Sequence, residues 1–157
     1  MTKKTFGTAL VIGASRGLGL ELVRQLLAAG SRVIATVRTA EARAALQTLG
    51  AEVLTLDVAD PASVGGLARQ LGGEPFDLAF YVAGVMRRMG ATTPPTQQDF
   101  DAVMHANVLG AMQTLPQVTP LVESAGGVFA FMSSSMSQIG SVPASNAWLY
   151  RTSKAAL

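Results

Sequence analysis

The chain predicts an α/β fold, a doubly wound parallel sheet with strand order 3-2-1-4-5, and three observations carry that reading. Short β-rich runs alternate with helical patterns along the length, which means right-handed βαβ units. A glycine-rich turn, Gly13-Ala-Ser-Arg-Gly17-Leu-Gly19, joins the first run to the first helical pattern. In such a sheet a ligand sits at the switch point between strands 1 and 4. Hydrophobic residues make up 49% and charged residues only 14%, as expected when strands are covered on both faces. The chain of 157 residues fits one domain, 1–157, with a proper core.

Thr8–Ile12 is apolar and is read as the first strand. Lys3-Lys4 before it imitates a signal peptide, but the apolar stretch is short and runs into a glycine turn instead of a cleavage site. Leu18, Leu22, Val23, Leu26 and Leu27 recur with helical spacing, and Gly30 sits where that helix ends. Arg32–Val37 is the second strand, Glu41–Leu49 a helix closed by Gly50, and Glu52–Leu56 the third strand. Asp60-Pro61 opens a helix with an N-cap and a proline at the first position, ending near Gly72-Gly73. Leu78–Val82 is the fourth strand, and Thr92–Thr96 with its proline pair is a loop. A long helix is expected from Gln97 to about Glu123, bent near Pro116. Val128–Met132 is the fifth strand and Ser133–Ser145 a polar loop. A last helix begins around Asn146–Trp148, and the chain ends about two turns into it.

Several function classes are excluded. No apolar run approaches the roughly 18 residues of a membrane span; the longest reaches only from Leu78 to Met86. A net charge of +2 is too small to argue for nucleic acid, and Arg87-Arg88 reads as a solvated loop. Cysteine is absent, so disulfide and thiol chemistry are excluded, which fits a cytoplasmic location. His105 is the single histidine, with no carboxylate cluster beside it, so no metal site is expected; it reads as a packed or surface helix residue.

The glycine turn follows a strand and opens a helix, the context a dinucleotide site requires. Glycines let the backbone approach a pyrophosphate, and the helix N-terminus supplies N–H groups and a positive dipole end. That makes the sheet Rossmann-like, although the spacing is GxxxGxG rather than GxGxxG. The competing reading is a tight turn without a ligand. Arg38 follows the second strand and Arg16 lies inside the turn, with no carboxylate at the strand end. Two arginines and no acid favour the 2′-phosphate of NADP(H) over NAD, against the plainer reading of solvated arginines. Near the other end, Tyr150 and Lys154 stand four apart and share a helix face. An ammonium beside a phenol favours the phenolate and lowers its pKa, which makes a proton donor usable near neutral pH.

With these pieces in order, the chain resembles a short-chain dehydrogenase/reductase of the compact type. The resemblance rests on the glycine turn, Leu56-Asp57-Val58, Ala83-Gly84, Asn107-Val-Leu-Gly110, Ser133-Ser134 and Tyr150-x-x-x-Lys154. The Asn107 tract and the ending Tyr-Arg-x-Ser-Lys-Ala-Ala-Leu are similar to C-signal-like and sepiapterin-reductase-like members. The resemblance implies that Tyr150 exchanges a proton with the substrate oxygen. Lys154 holds the nicotinamide ribose and tunes Tyr150. Ser134 hydrogen-bonds the carbonyl oxygen, with Ser135 as the alternative serine. Asn107 bends its helix and holds a water that relays protons to Lys154. Asp57 contacts the adenine amino group beside the Val58 amide, and Ala83 and Gly84 floor the nicotinamide-side ribose. Gly13, Ser15, Arg16, Gly17, Leu18, Gly19 and Arg38 complete the cofactor set. Asn107 and Asp57 also have plainer readings, as a polar helix residue and a turn residue. Met86, Met89, Met132 and Met136 lie in or next to the cleft loops and read as packing before an apolar substrate pocket.

The chain departs from the family in two ways. Tyr81-Val82 replaces two asparagines that normally tie the central strands together. The family's last two strands and substrate-closing loop have no counterpart, so the chain is read as a C-terminally incomplete portion whose fifth strand is an edge. The implied function is NADP(H)-dependent interconversion of a small-molecule carbonyl and alcohol, in a homo-oligomer (dimer or tetramer) when full length. The alternative is a nucleotide-binding module or fragment without turnover.

Overall fold

The computed structural model describes residues 6–87, 90, 92–140 and 146–157. Arg88, Met89 and positions 141–145 of the expected polar loop lie outside the described residues. Five strands, β1 (Thr8–Ile12), β2 (Arg32–Val37), β3 (Glu52–Thr55), β4 (Leu78–Tyr81) and β5 (Val128–Phe131), form one parallel sheet. Their order is β3-β2-β1-β4-β5, so β5 is an edge and the order reverses between β1 and β4, as expected.

Helices cover both faces. On one side lie α1 (Gly17–Ala28) and α2 (Ala40–Thr48). On the other lie α3 (Pro61–Gly65), α4 (Leu67–Leu71) and α6 (Gly110–Ser124), the last reached through α5 (Gln97–Met104). Strand alternation sorts the core into two layers. Ala9, Val11, Val33, Ala35 and Val37 pack with Val23, Leu26 and Leu46. Leu10, Ile12 and Tyr81 pack with Val64, Leu67, Val118 and Val122 on the opposite face.

The helix starts follow from local chemistry. The Thr39 hydroxyl accepts from the Ala42 amide, and the Asp60 carboxylate accepts from the Ala62 amide with Pro61 behind it. Thr96 and Asp99 form a capping box at α5. The helix expected to run from Asp60 to Gly72 is two short pieces divided at Gly66.

One expectation is corrected. The helix from Gln97 onward departs from α geometry at a π-turn, His105–Leu109, well before Pro116. There the Gly110 amide reaches back five residues to the His105 carbonyl. Pro116 and Pro120 both lie inside α6. The final helix, α7, spans Trp148–Ala156. Among the described residues no helix is long and apolar enough to cross a membrane.

Candidate active site

The glycine turn sits at the C-terminal end of β1, against the end of β4. Gly13 takes φ +91°, and a Cβ there would lie 2.6 Å from the Ala83 backbone. Only glycine permits both the conformation and that approach. At Gly19 a Cβ would run into the Gly13 carbonyl. The Gly13 amide donates to Thr36 Oγ1 over 3.1 Å, which ties the turn to β2. Helix α1 opens at Arg16 without a side-chain cap and without an acidic residue in its first turn. Its positive end is thus left uncompensated. Ser15, Arg16, Gly17 and Leu18 are exposed around it. A bare backbone cradle with uncapped N–H groups has the shape and polarity for a phosphate.

The flanking residues sit at the same end of the sheet. Arg38 is exposed directly after β2. Among the described residues neither Arg16 nor Arg38 forms an ion pair. Asp57 follows β3 in a turn of its own making: Oδ1 accepts from the Ala59 amide, and the Asp57 amide donates to Ser63 Oγ. Val58 is buried, and its carbonyl would lie 2.6 Å from a Cβ on Gly110. Gly84 is exposed, with space for a Cβ limited by Asn107 Oδ1 at 3.2 Å.

The second group converges on the π-turn. Asn107 is fully buried there. Its Oδ1 accepts from the Val85 amide (2.8 Å), and its Nδ2 donates to the Val85 carbonyl (3.0 Å) and to Ser153 Oγ (2.9 Å). Ser153 donates in turn to the Tyr150 carbonyl. One side chain therefore locks the segment after β4 to the helix that carries Tyr150 and Lys154. Lys154 is buried, its Nζ donates to the Met132 carbonyl over 2.7 Å, and it lies 5.9 Å from the centre of the Tyr150 ring. Burial pushes the ammonium below the ordinary lysine range.

The serine run divides its work. Ser133 donates to the Lys154 carbonyl. Ser134 Oγ accepts from the Met136 amide, which leaves the hydroxyl proton free to be given elsewhere. Ser135 is exposed and opens a short 3₁₀ turn, Ser135–Ser137. Arg151 fastens that turn to α7 through the carbonyls of Met136 and Asn146.

Thr36, Tyr81 and Ser153 belong to this site and carried no role in the sequence reading. Thr36 is a polar residue inside a buried strand, and Ser153 stands in the quoted ending; both signals were present. His105 is exposed at the start of the π-turn.

A model of the short chain dehydrogenase family matches residues 7–157. The chain belongs to the short-chain dehydrogenases. Its similarity to a 1-hydroxy-2-glutathionyl-2-methyl-3-butene dehydrogenase of Rhodococcus sp. (strain AD45) is 32% identity over 95% of this chain and 66% of that one. It is 32% identical to an NADPH-dependent pterin aldehyde reductase of Arabidopsis thaliana over 85% of this chain and 58% of that one. A crystal structure of a short-chain dehydrogenase/reductase from Burkholderia multivorans with bound NADP superposes with a TM-score of 0.86 at 32% identity. That superposition covers 97% of this chain and 69% of the other. This short-chain dehydrogenase chain thus spans 58 to 66% of the length of the two relatives compared by sequence.

Proposed function

We propose that this chain carries the cofactor site and the proton-transfer group of an NADP(H)-dependent oxidoreductase that interconverts a carbonyl and an alcohol. The observation that carries the reading is the buried Lys154 ammonium beside the Tyr150 ring, on a helix fastened to Asn107. NADPH, when bound, supplies the hydride that goes to the carbonyl carbon. Tyr150 gives its phenolic proton to the carbonyl oxygen, and Ser134 donates a hydrogen bond to the same oxygen as charge builds there. Lys154 holds the ribose hydroxyls, with its ammonium 5.9 Å from the centre of the Tyr150 ring. Asn107 fixes the turn that holds a relay water toward Lys154.

Gly13, Gly17 and Gly19 take the pyrophosphate, with Ser15 and Leu18 around it; Arg16 and Arg38 take the 2′-phosphate. Asp57 and Val58 take the adenine, and Ala83 and Gly84 floor the ribose. A bound NADP in the Burkholderia multivorans relative supports this cofactor. Residues 1–157 are read as one dinucleotide-binding domain. Leu109, Met112 and Leu115 are exposed at helical spacing on the π-turn and α6, which supports a homo-oligomer.

The test is NADPH consumption by the natural gene product across a panel of aldehydes and ketones. Tyr150→Phe should abolish turnover and leave NADPH binding intact. Binding without consumption of NADPH by the unaltered protein would instead assign a nucleotide-binding module.

A further inference from the structure

Tyr81 is a fully buried phenol to which the proposed chemistry gives no part. It occupies the position where the resemblance leads one to expect an asparagine. Its ring stacks on Phe131, with centres 5.7 Å apart. Its hydroxyl donates over 2.7 Å to the carbonyl of Ala106, inside the π-turn and next to Asn107. The fit is mutual. A Cβ on Gly110 would lie 2.7 Å from the Tyr81 oxygen and 2.6 Å from the Val58 carbonyl, so glycine there leaves the room that the hydroxyl and that carbonyl share. Burial pushes this phenol well above the ordinary tyrosine range, so it remains a donor wherever the protein is folded and working.

We propose that Tyr81 is a positioning residue whose hydroxyl, through the Ala106 carbonyl, holds the π-turn in the one arrangement that points Asn107 at Val85 and Ser153. The part of this that concerns turnover rests on the reductase reading. Asn107 fixes the segment after β4 and, through Ser153, the backbone of Tyr150. A turn that loses its anchor lets both drift. Wide turns of this kind are uncommon and occur mostly as single turns inside α-helices. The asparagine ties missing from β4 are in this way replaced by a longer side chain that reaches the neighbouring helix.

Tyr81→Phe removes the hydroxyl and keeps the ring. In the natural gene product, amide exchange at Val85 and across 105–110 should quicken by about tenfold, while β1 and β2 keep their protection. Val85 is a direct reporter because its amide is held by Asn107 Oδ1. In the same variant kcat should fall by about tenfold with the pH profile displaced, while KM and NADPH affinity stay put. Phe131→Leu is the packing control, and it should lower the melting temperature without quickening exchange in the turn. Gly110→Ala serves should Tyr81→Phe not fold: its methyl presses on both the Tyr81 hydroxyl and the Val58 carbonyl, so exchange at 105–110 and Val85 is read beside exchange at 57–59, and quickening confined to 57–59 also overturns the proposal. Unchanged exchange at Val85 and 105–110, or the same quickening in Phe131→Leu, overturns the proposal. So does quickened exchange in an active enzyme whose kcat and pH profile are unaltered. If the unaltered protein reduces no carbonyl, the reductase reading fails, and the exchange result still decides whether Tyr81 holds the turn.

Discussion

Asn107 Nδ2 donates to Ser153 Oγ over 2.9 Å, joining residues 46 apart in the chain. Ser153→Ala would leave one hydrogen of a buried carboxamide without an acceptor, a cost of about 1–3 kcal/mol. The melting temperature should fall accordingly, and turnover should drop because the Tyr150 backbone loses its tie. Thermal unfolding with a carbonyl-reduction assay checks both. An unchanged melting temperature would remove Ser153 from the network.

Gly19→Ala is expected to abolish measurable NADPH binding. Its methyl meets the Gly13 carbonyl, so the turn must open. Overpacking of this kind costs about 1–3 kcal/mol. Calorimetric titration with NADPH beside a denaturant curve separates lost binding from lost folding.

Arg16, at the start of α1, and Arg38, directly after β2, are exposed cations. Replacing both by alanine should weaken NADPH binding by at least on the order of tenfold, through lost charge-assisted contacts, and leave NADH binding unchanged. Equal affinity of the unaltered protein for NADH and NADPH would end the case for the 2′-phosphate.

Burial lowers the Lys154 pKa in the folded state. Between that lowered value and the ordinary lysine value of about 10.4, the unfolded chain binds more protons than the folded one. Stability contributed by this group therefore rises with pH across that window. Melting temperatures of the unaltered protein and of Lys154→Met, taken from pH 7 to 10, should converge or cross in favour of the lysine as pH rises. Parallel curves would mean that Lys154 titrates as it does in water.

The strands were legible because the pattern is strong: β1 and β2 fall where the sequence places them. Three others were read one residue too long, to Leu56, Val82 and Met132. The reason is physical, since the amides of those residues still bond to the neighbouring strand after the regular ladder ends. The glycine turn and the Tyr150–Lys154 pair were legible as local spacing. The π-turn was legible only through the resemblance, which implies that Asn107 bends its helix; His-Ala-Asn-Val-Leu has no periodic mark of its own, and by pattern alone Pro116 offered a more familiar reason for a bend. Its cause lies in Tyr81, Val85 and Ser153, contacts that no local window contains.

The π-turn decides what a change of chain length would do here. In an unbroken helix one residue fewer swings everything after it by about 100°. A wide turn holds one residue more than the α-helix around it. Deleting a single residue between 105 and 109 would therefore let the turn close to a regular helix, with Val118 and Val122 still facing the core. The loss would fall on Asn107, whose contacts to Val85 and Ser153 are made from the wide turn. A one-codon loss here would thus spare the core and strip the site of its tie.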